Sequence, residues 1–223
     1  MLRKEKIDLL SVCTWNATHA ALIEAAVRAG VKGIFCEKPV ADTLANADRM
    51  IRICSQKKVP LLINYTRRYL SLYHRLKAII DSGEAGQIQA VSCYYTAGVV
   101  NTGTHMFDFL RYFFGDVQWV WADFSRVLGD QDKTFSGTLY FKQGFACTLA
   151  ALDVQKYLIF EADIYGTKKR IRIEEDENCA QIWDVVAHPS YSGYRTLKEV
   201  RPVRGDLSLG LSNLVKNLLE AVE

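Results

Sequence analysis

Glu37-Lys38-Pro39 directly follows the apolar run Ile34-Phe35-Cys36. An ammonium group therefore stands where a parallel strand would end, which is the edge at which open α/β sheets bind their ligands. A lysine beside a proline reads equally as a solvated loop residue, so the tripeptide gains weight from its surroundings. Upstream, Val12-Cys13-Thr14-Trp15-Asn16-Ala17-Thr18-His19 is a strand running into a polar turn that opens a helix. Downstream, Asn101-Thr102-Gly103-Thr104-His105-Met106-Phe107-Asp108 puts an imidazole just inside a helix that begins near Gly103. A neutral imidazole, with an ordinary pKa of about 6.5, can take a proton at physiological pH. Read as structure alone, His105 is a satisfied histidine at a helix N-terminus, Asn101 a turn residue and His19 a first-turn or capping residue.

The elements that must position these groups follow from periodicity. Up to residue 64, apolar strands at 7–14, 31–36 and 60–64 alternate with amphipathic helices at 19–29 and 43–56. Strand-helix-strand-helix-strand predicts a parallel sheet. Helices are predicted at 71–82 and 103–114, on either side of a strand at 87–96. After Gly115 the pattern becomes successive strands at 117–127, 134–142, 145–153, 157–165 and 169–174, with turns at Gln143-Gly144 and Gly166-Thr167, a largely antiparallel arrangement. The expected fold class is α/β: a partial Rossmann-like parallel sheet over residues 1–66, then an α+β domain over 67–223 built on a large, mostly antiparallel open sheet. The last stretch, 211–223, reads as an amphipathic helix.

Taken in order, these motifs resemble the Gfo/Idh/MocA family of NAD(P)-dependent dehydrogenases (glucose-fructose oxidoreductase, inositol dehydrogenase, rhizopine catabolism protein). Glu37-Lys38-Pro39 is one shared segment. Thr14-Trp15-Asn16-Ala17-Thr18-His19 stands where the family usually has Thr-Pro-Asn-x-x-His. Asn64-Tyr65-Thr66-Arg67-Arg68-Tyr69, Gly83-Glu84-Ala85-Gly86-Gln87-Ile88 and Ile164-Tyr165-Gly166-Thr167-Lys168-Lys169-Arg170-Ile171 complete the set.

The resemblance implies hydride transfer between NAD or NADP and a secondary alcohol of a sugar or polyol. In that reading Lys38 hydrogen-bonds the reacting oxygen and His105 accepts its proton, the two approaching one hydroxyl. Glu37 holds Lys38 or contacts the cofactor ribose, and the Lys38–Pro39 peptide is a candidate for the cis geometry. Thr14, Trp15, Asn16, His19, Glu37, Lys38 and Pro39 fall on the cofactor side; Arg67, Arg68, Asn101, Thr104 and His105 fall on the substrate side. Many members carry Asp four residues before the histidine. Asn101 cannot take up a proton at neutral pH, though its amide can both donate to and accept from substrate hydroxyls. Arg67 and Arg68 read alternatively as a purely structural or interdomain pair.

Composition excludes several other classes. The 223 residues carry 28 basic and 25 acidic side chains, too near balance to argue for nucleic acid or an anionic membrane. Cys13, Cys36, Cys54, Cys93, Cys147 and Cys179 are scattered, with no Cys-x-x-Cys pair and no histidine cluster, so buried thiols are expected rather than disulfides or a metal site. With no long apolar run, a cytoplasmic location is the default expectation.

No Gly-x-Gly-x-x-Gly occurs in the chain, although a dinucleotide fold needs such a loop to bring backbone amides to the pyrophosphate. The expectation is therefore a fragment or truncated relative whose opening β-α-β unit lies upstream. The alternative is a non-catalytic dimerising or regulatory remnant. In the hairpin at 134–153, Phe135, Leu139, Phe141, Phe145, Cys147 and Leu149 alternate, and few helices are expected over this sheet. That face is expected to stay open and apolar, and the resemblance implies a homodimer or higher homo-oligomer through it.

Overall fold

The computed structural model describes residue 2 and residues 4–129, 131–174 and 179–223. It divides into two compact units, Met1–Tyr69 with Ser208–Glu223, and Leu70–Leu207. The fold is α/β, a small parallel sheet followed by a large, mostly antiparallel one, in agreement with the expected class.

In the first unit β1 (Leu9–Val12), β2 (Gly33–Cys36) and β3 (Leu61–Ile63) pair in parallel in that order. Their register aligns Val12 with Cys36 and Cys36 with Ile63, so all three carboxyl ends finish at one edge. Alternate residues of β2 point to opposite faces. Ile34 and Cys36 pack with Ile23, Ala26 and Val27 of α1 (Asn16–Arg28) and Met50 and Cys54 of α2 (Leu44–Lys57). α2 starts where Thr43 accepts a hydrogen bond from Asn46 N at 3.2 Å, and it ends at Lys58 in the left-handed region, a capped start and a stop set by backbone conformation. The other face of β2 carries Gly33 and Phe35, covered by Leu214, Leu218 and Val222 of the terminal helix α5 (Gly210–Val222). A Cβ at Gly33 would lie 2.6 Å from Val222 Cγ2, so a larger residue here would have to displace the Val222 side chain of α5. Burying each of the α5 leucines contributes roughly 1.5–3 kcal/mol.

The second unit is one eight-stranded sheet in the order β11-β10-β9-β8-β4-β7-β6-β5. Its strands are β4 (Ile88–Tyr95), β5 (Val117–Leu128), β6 (Thr134–Phe141), β7 (Ala146–Ala151), β8 (Phe160–Gly166), β9 (Lys169–Ile173), β10 (Cys179–Ala187) and β11 (Arg195–Arg204). All neighbours run antiparallel except β4 and β7. Helices α3 (Ser71–Asp81) and α4 (Thr104–Phe114) cover one face. Tyr73, Phe109, Phe113, Phe114, Phe141 and Phe145 form the aromatic centre, with Phe109 edge-on to Tyr73 at 5.7 Å and Phe114 edge-on to Phe145 at 5.2 Å, geometries that add to area burial.

Several expectations are corrected. Leu139, Phe141, Phe145, Cys147 and Leu149 are buried under the helices rather than left open, because α3 and α4 reach far enough to cover them. The open face is the opposite one. The division between units falls after Tyr69, and the terminal helix groups with the parallel sheet instead of the second domain, since its leucines match the apolar surface on Phe35 and Leu62. Strands β10 and β11 went unanticipated. The helix carrying His105 opens with a π-helical turn, Gly98–Gly103.

Candidate active site

At the carboxyl edge of the parallel sheet each strand hands over to a polar segment. Glu37 N donates to Val12 O at 2.9 Å and Asn64 N to Cys36 O at 2.8 Å, which extends the ladder one residue past β2 and β3. The Glu37 carboxylate is then held twice, by Asn64 Nδ2 at 2.8 Å and by the Lys38 amide at 3.3 Å. Thr66 Oγ1 donates to Asn64 Oδ1 at 2.6 Å, which fixes the amide the other way round. The Lys38–Pro39 peptide is cis, as anticipated. Glu37, Lys38 and Pro39 are all half-buried.

His19 is fully buried on the first turn of α1. Its Nε2 lies 3.0 Å from Thr14 O, and its Nδ1 lies 3.2 Å from Val40 O and 3.3 Å from Cys36 Sγ. The ring ties the loop after β1 to the segment after Pro39, so its nitrogens serve the scaffold and not a ligand. Thr14 and Trp15 are exposed, Trp15 at 85%, and Asn16 is half-buried. Thr18 Oγ1 donates to Trp15 O at 2.7 Å and meets Thr14 Oγ1 at 2.6 Å, closing the turn that presents the indole. Arg67 and Arg68 sit half-buried in the short 3₁₀ segment Thr66–Tyr69.

In the second unit Asn101, Thr104 and His105 share one continuous helical stretch, the π-helical turn Gly98–Gly103 running into α4. Ala97 precedes it with φ +60°, and Gly98 has φ +84°. Thr104 Oγ1 donates to Val100 O and Asn101 O, both at 3.0 Å, locking the turn onto the helix. Asn101 is exposed, while Thr104, His105 and Asp108 are half-buried. An apolar cavity of about 400 Å³ between α4 and β5–β6, walled by Phe107, Leu110, Val120, Trp121, Phe124 and Phe135, contains none of these residues.

The thiol electrostatics fit a scaffold role. Burial, aided by the Glu37 carboxylate, pushes the Cys36 thiol up to about 12, so it stays protonated beside His19. Burial also raises Cys93, whose Sγ lies 3.8 Å from Cys147 Sγ. Among the described residues no group of three or more histidine, cysteine or acidic side chains could hold a metal ion.

The sequence places Asn64 in a shared segment without assigning it a role, and it does not single out Asp132. Asn64 stands directly after a parallel strand, a position that marks ligand or support residues in open α/β sheets. Asp132 lies in a turn between two strands with no local pattern to single it out, yet its carboxylate accepts from Val100 N at 2.9 Å and Asn101 N at 2.7 Å.

A three-stranded parallel sheet with polar groups gathered at its carboxyl edge, together with a helix-backed, mostly antiparallel sheet, defines a two-unit α/β architecture. The match to known families agrees. Residues 1–65 match the oxidoreductase family, NAD-binding Rossmann fold, and residues 96–172 match the GFO/IDH/MocA C-terminal domain. The chain belongs to the Gfo/Idh/MocA family. It is 28% identical over 197 residues to the myo-inositol 2-dehydrogenase of Thermotoga maritima, covering 77% of this chain and 58% of that protein. Over 144 residues it is 31% identical to the D-apiose dehydrogenase of Paraburkholderia graminis, covering 57% and 38%. An oxidoreductase from Agrobacterium radiobacter, crystallised with NAD+, L-tartaric acid and magnesium, shares the fold with a TM-score of 0.70 at 20% identity, over 99% of this chain and 71% of that one. The chain thus spans less than two thirds of the length of these two dehydrogenases.

Proposed function

We propose that this chain carries part of an NAD(P)-dependent oxidoreductase acting on a secondary alcohol of a sugar or polyol. The observation that carries the reading is the carboxyl edge of the parallel sheet, where Asn64, Glu37 and Lys38 form one connected polar set. Trp15 offers an exposed flat ring beside Thr14 and Asn16, and Glu37 offers a carboxylate already oriented. These groups fit the ribose and nicotinamide end of the cofactor. The glycine-rich amides that would grip the pyrophosphate are not among this chain's residues.

When bound, the nicotinamide supplies the hydride acceptor or donor. The rest of the chemistry falls to the protein. The Lys38 ammonium stabilises negative charge developing on the substrate oxygen, and the His105 imidazole takes the hydroxyl proton. Asn101, Thr104, Arg67 and Arg68 bind neighbouring hydroxyls, with Asn101 using both faces of its amide. His19 aligns the two loops of the edge. Inositol and apiose dehydrogenases among the relatives support a polyhydroxylated substrate. Six thiols and no disulfide among the described residues fit a reducing compartment such as the cytoplasm, and no helix there is long and apolar enough to cross a membrane.

The open face of the large sheet supports self-association. By register, Trp119, Tyr140, Ala146, Ala90, Tyr165, Arg170 and Trp183 form one row across it. Trp119 stacks on Tyr140 at 5.2 Å, while Arg170 lies 4.6 Å from the Trp183 ring and donates from Nε to Asp163 at 2.8 Å. Small residues in the middle and aromatics on both flanks suit a second copy packed face to face about a two-fold axis.

NMR shift mapping with NADH tests the cofactor reading. Amides of Thr14 to Asn16 and Glu37 to Lys38 are expected to move with saturable but weak binding, in about the millimolar range, because the pyrophosphate grip is missing. Unmoved amides at that edge would remove the reading and favour the rival one, a non-catalytic dimerising or regulatory protein, which draws on the same missing loop.

A further inference from the structure

We infer that Asp132 is a positioning residue for His105 and Asn101: from the turn between β5 and β6 its carboxylate caps the helical stretch that carries both. The inference rests on the oxidoreductase reading given above. Every helix begins with amide donors that lack intrahelical partners. Here four successive amides are all taken by three successive residues of another element. Gly98 N donates to Thr134 Oγ1 at 2.9 Å and Val99 N to Lys133 O at 3.0 Å. Val100 N and Asn101 N donate to the two oxygens of Asp132, at 2.9 and 2.7 Å.

The helical stretch has no side-chain cap of its own, since Ala97 stands at its N-cap position. The borrowed cap is also the only charged one in the set, and a carboxylate on consecutive amides at the positive end of a helix makes charge-assisted bonds stronger than neutral ones. The fit is close. A Cβ on Gly98 would overlap the Asp132 carboxylate, so the glycine is required both by its φ and by its neighbour. Thr134 is only 3% exposed, which anchors the capping segment in the core. The carboxylate therefore fixes the backbone at Asn101 directly. His105 follows one turn later, through the Thr104 hydroxyl bonds to Val100 O and Asn101 O. π-Helical turns are rare and occur frequently at functional sites, and here Asp132 caps the start of one.

Asp132→Asn and Asp132→Glu separate the alternatives. In the wild-type chain the Val100 and Asn101 amide protons are expected to exchange slowly although Val100 is 48% exposed. In Asp132→Asn one amide faces an NH₂ group instead of an acceptor, so exchange over Gly98–Asn101 should quicken by at least about tenfold. The His105 ring resonances should shift while amides of β9 stay in place. Asp132→Glu should recover most of both effects. With NAD+ and a polyol that the wild type oxidises, Asp132→Asn should lower kcat by about tenfold or more at nearly unchanged KM, since misplacing a reacting group acts on the transition state.

The inference is overturned if the wild-type amides exchange as in an unstructured chain, or if Asp132→Asn leaves the amides and the His105 ring unmoved. Unchanged kcat in an active enzyme overturns it too. If Asp132→Asn does not fold, wild-type exchange and Asp132→Glu decide. A wild type that oxidises no polyol defeats the oxidoreductase reading instead, while the amide and ring measurements still judge the cap.

Discussion

Lys38 is a half-buried cation next to a carboxylate whose two oxygens are already engaged, by Asn64 and by the Lys38 amide. On the function proposed above, removing the ammonium takes away charge stabilisation of the substrate oxygen while Asn64 still holds Glu37. Lys38→Ala is expected to cut turnover by about 100-fold or more in a polyol assay with NAD+, and unchanged turnover would refute its role. The thiols divide by the same logic of burial. Cys13 is exposed and the other five cysteines are buried, so iodoacetamide should label Cys13 first, as read by peptide mass. Cys36 also sets a pH dependence. An unfolded chain releases this proton near 9, whereas the folded chain holds it to about 12. Unfolding then releases a proton, and stability falls as pH rises through that window. Urea midpoints measured from pH 8 to 11 should fall less steeply in Cys36→Ala.

At the scale of elements, α5 is held to the parallel sheet by three residues, Leu214, Leu218 and Val222, over Gly33, Phe35 and Leu62. Leu218 is 3% exposed. Leu218→Ala leaves a cavity between helix and sheet and is expected to cost about 2–4 kcal/mol of stability, measured as a shift in denaturant midpoint. A shift below about 0.5 kcal/mol, the usual range for surface changes, would mean that α5 does not stabilise this unit. The helix with His105 behaves differently, because its start is capped from a distant turn and depends less on its own composition.

At the scale of the whole molecule, the open sheet face is where the proposed self-association is tested. Thr148 pairs with Thr138 and Ser92 in the middle of that face, and it is exposed within one chain. An arginine there would place a long charged group in the centre of a face-to-face contact. Thr148→Arg is expected to convert a micromolar dimer into a monomer by light scattering, with the fold retained by circular dichroism. A wild type that is already monomeric at that concentration would show the assembly reading to be wrong.

How much was legible in the sequence follows from which interactions are local. The strand-helix alternation, the strand end at Cys36 and the helix after Gly103 follow from short-range patterns, and the structure reproduces them; the first strand, expected to run to Thr14, stops at Val12, and the cis peptide before Pro39, which the family resemblance suggested, is present. Strand β11 was not legible, since it is an edge strand carrying Lys198, Glu199 and Pro202; charges and proline protect an edge and erase the apolar signal. The covered face of the β6–β7 hairpin was misjudged because alternation shows that Leu139 and Leu149 share a face but not which face meets α3 and α4. Which sheet α5 joins, that both His19 nitrogens serve the scaffold, and that Asp132 caps a turn some thirty residues earlier were settled by tertiary structure alone. Periodicity within a segment fixes what that segment buries. Only the packed chain decides against what, because partners distant in sequence are chosen by shape and by unsatisfied hydrogen-bond groups that no local pattern records.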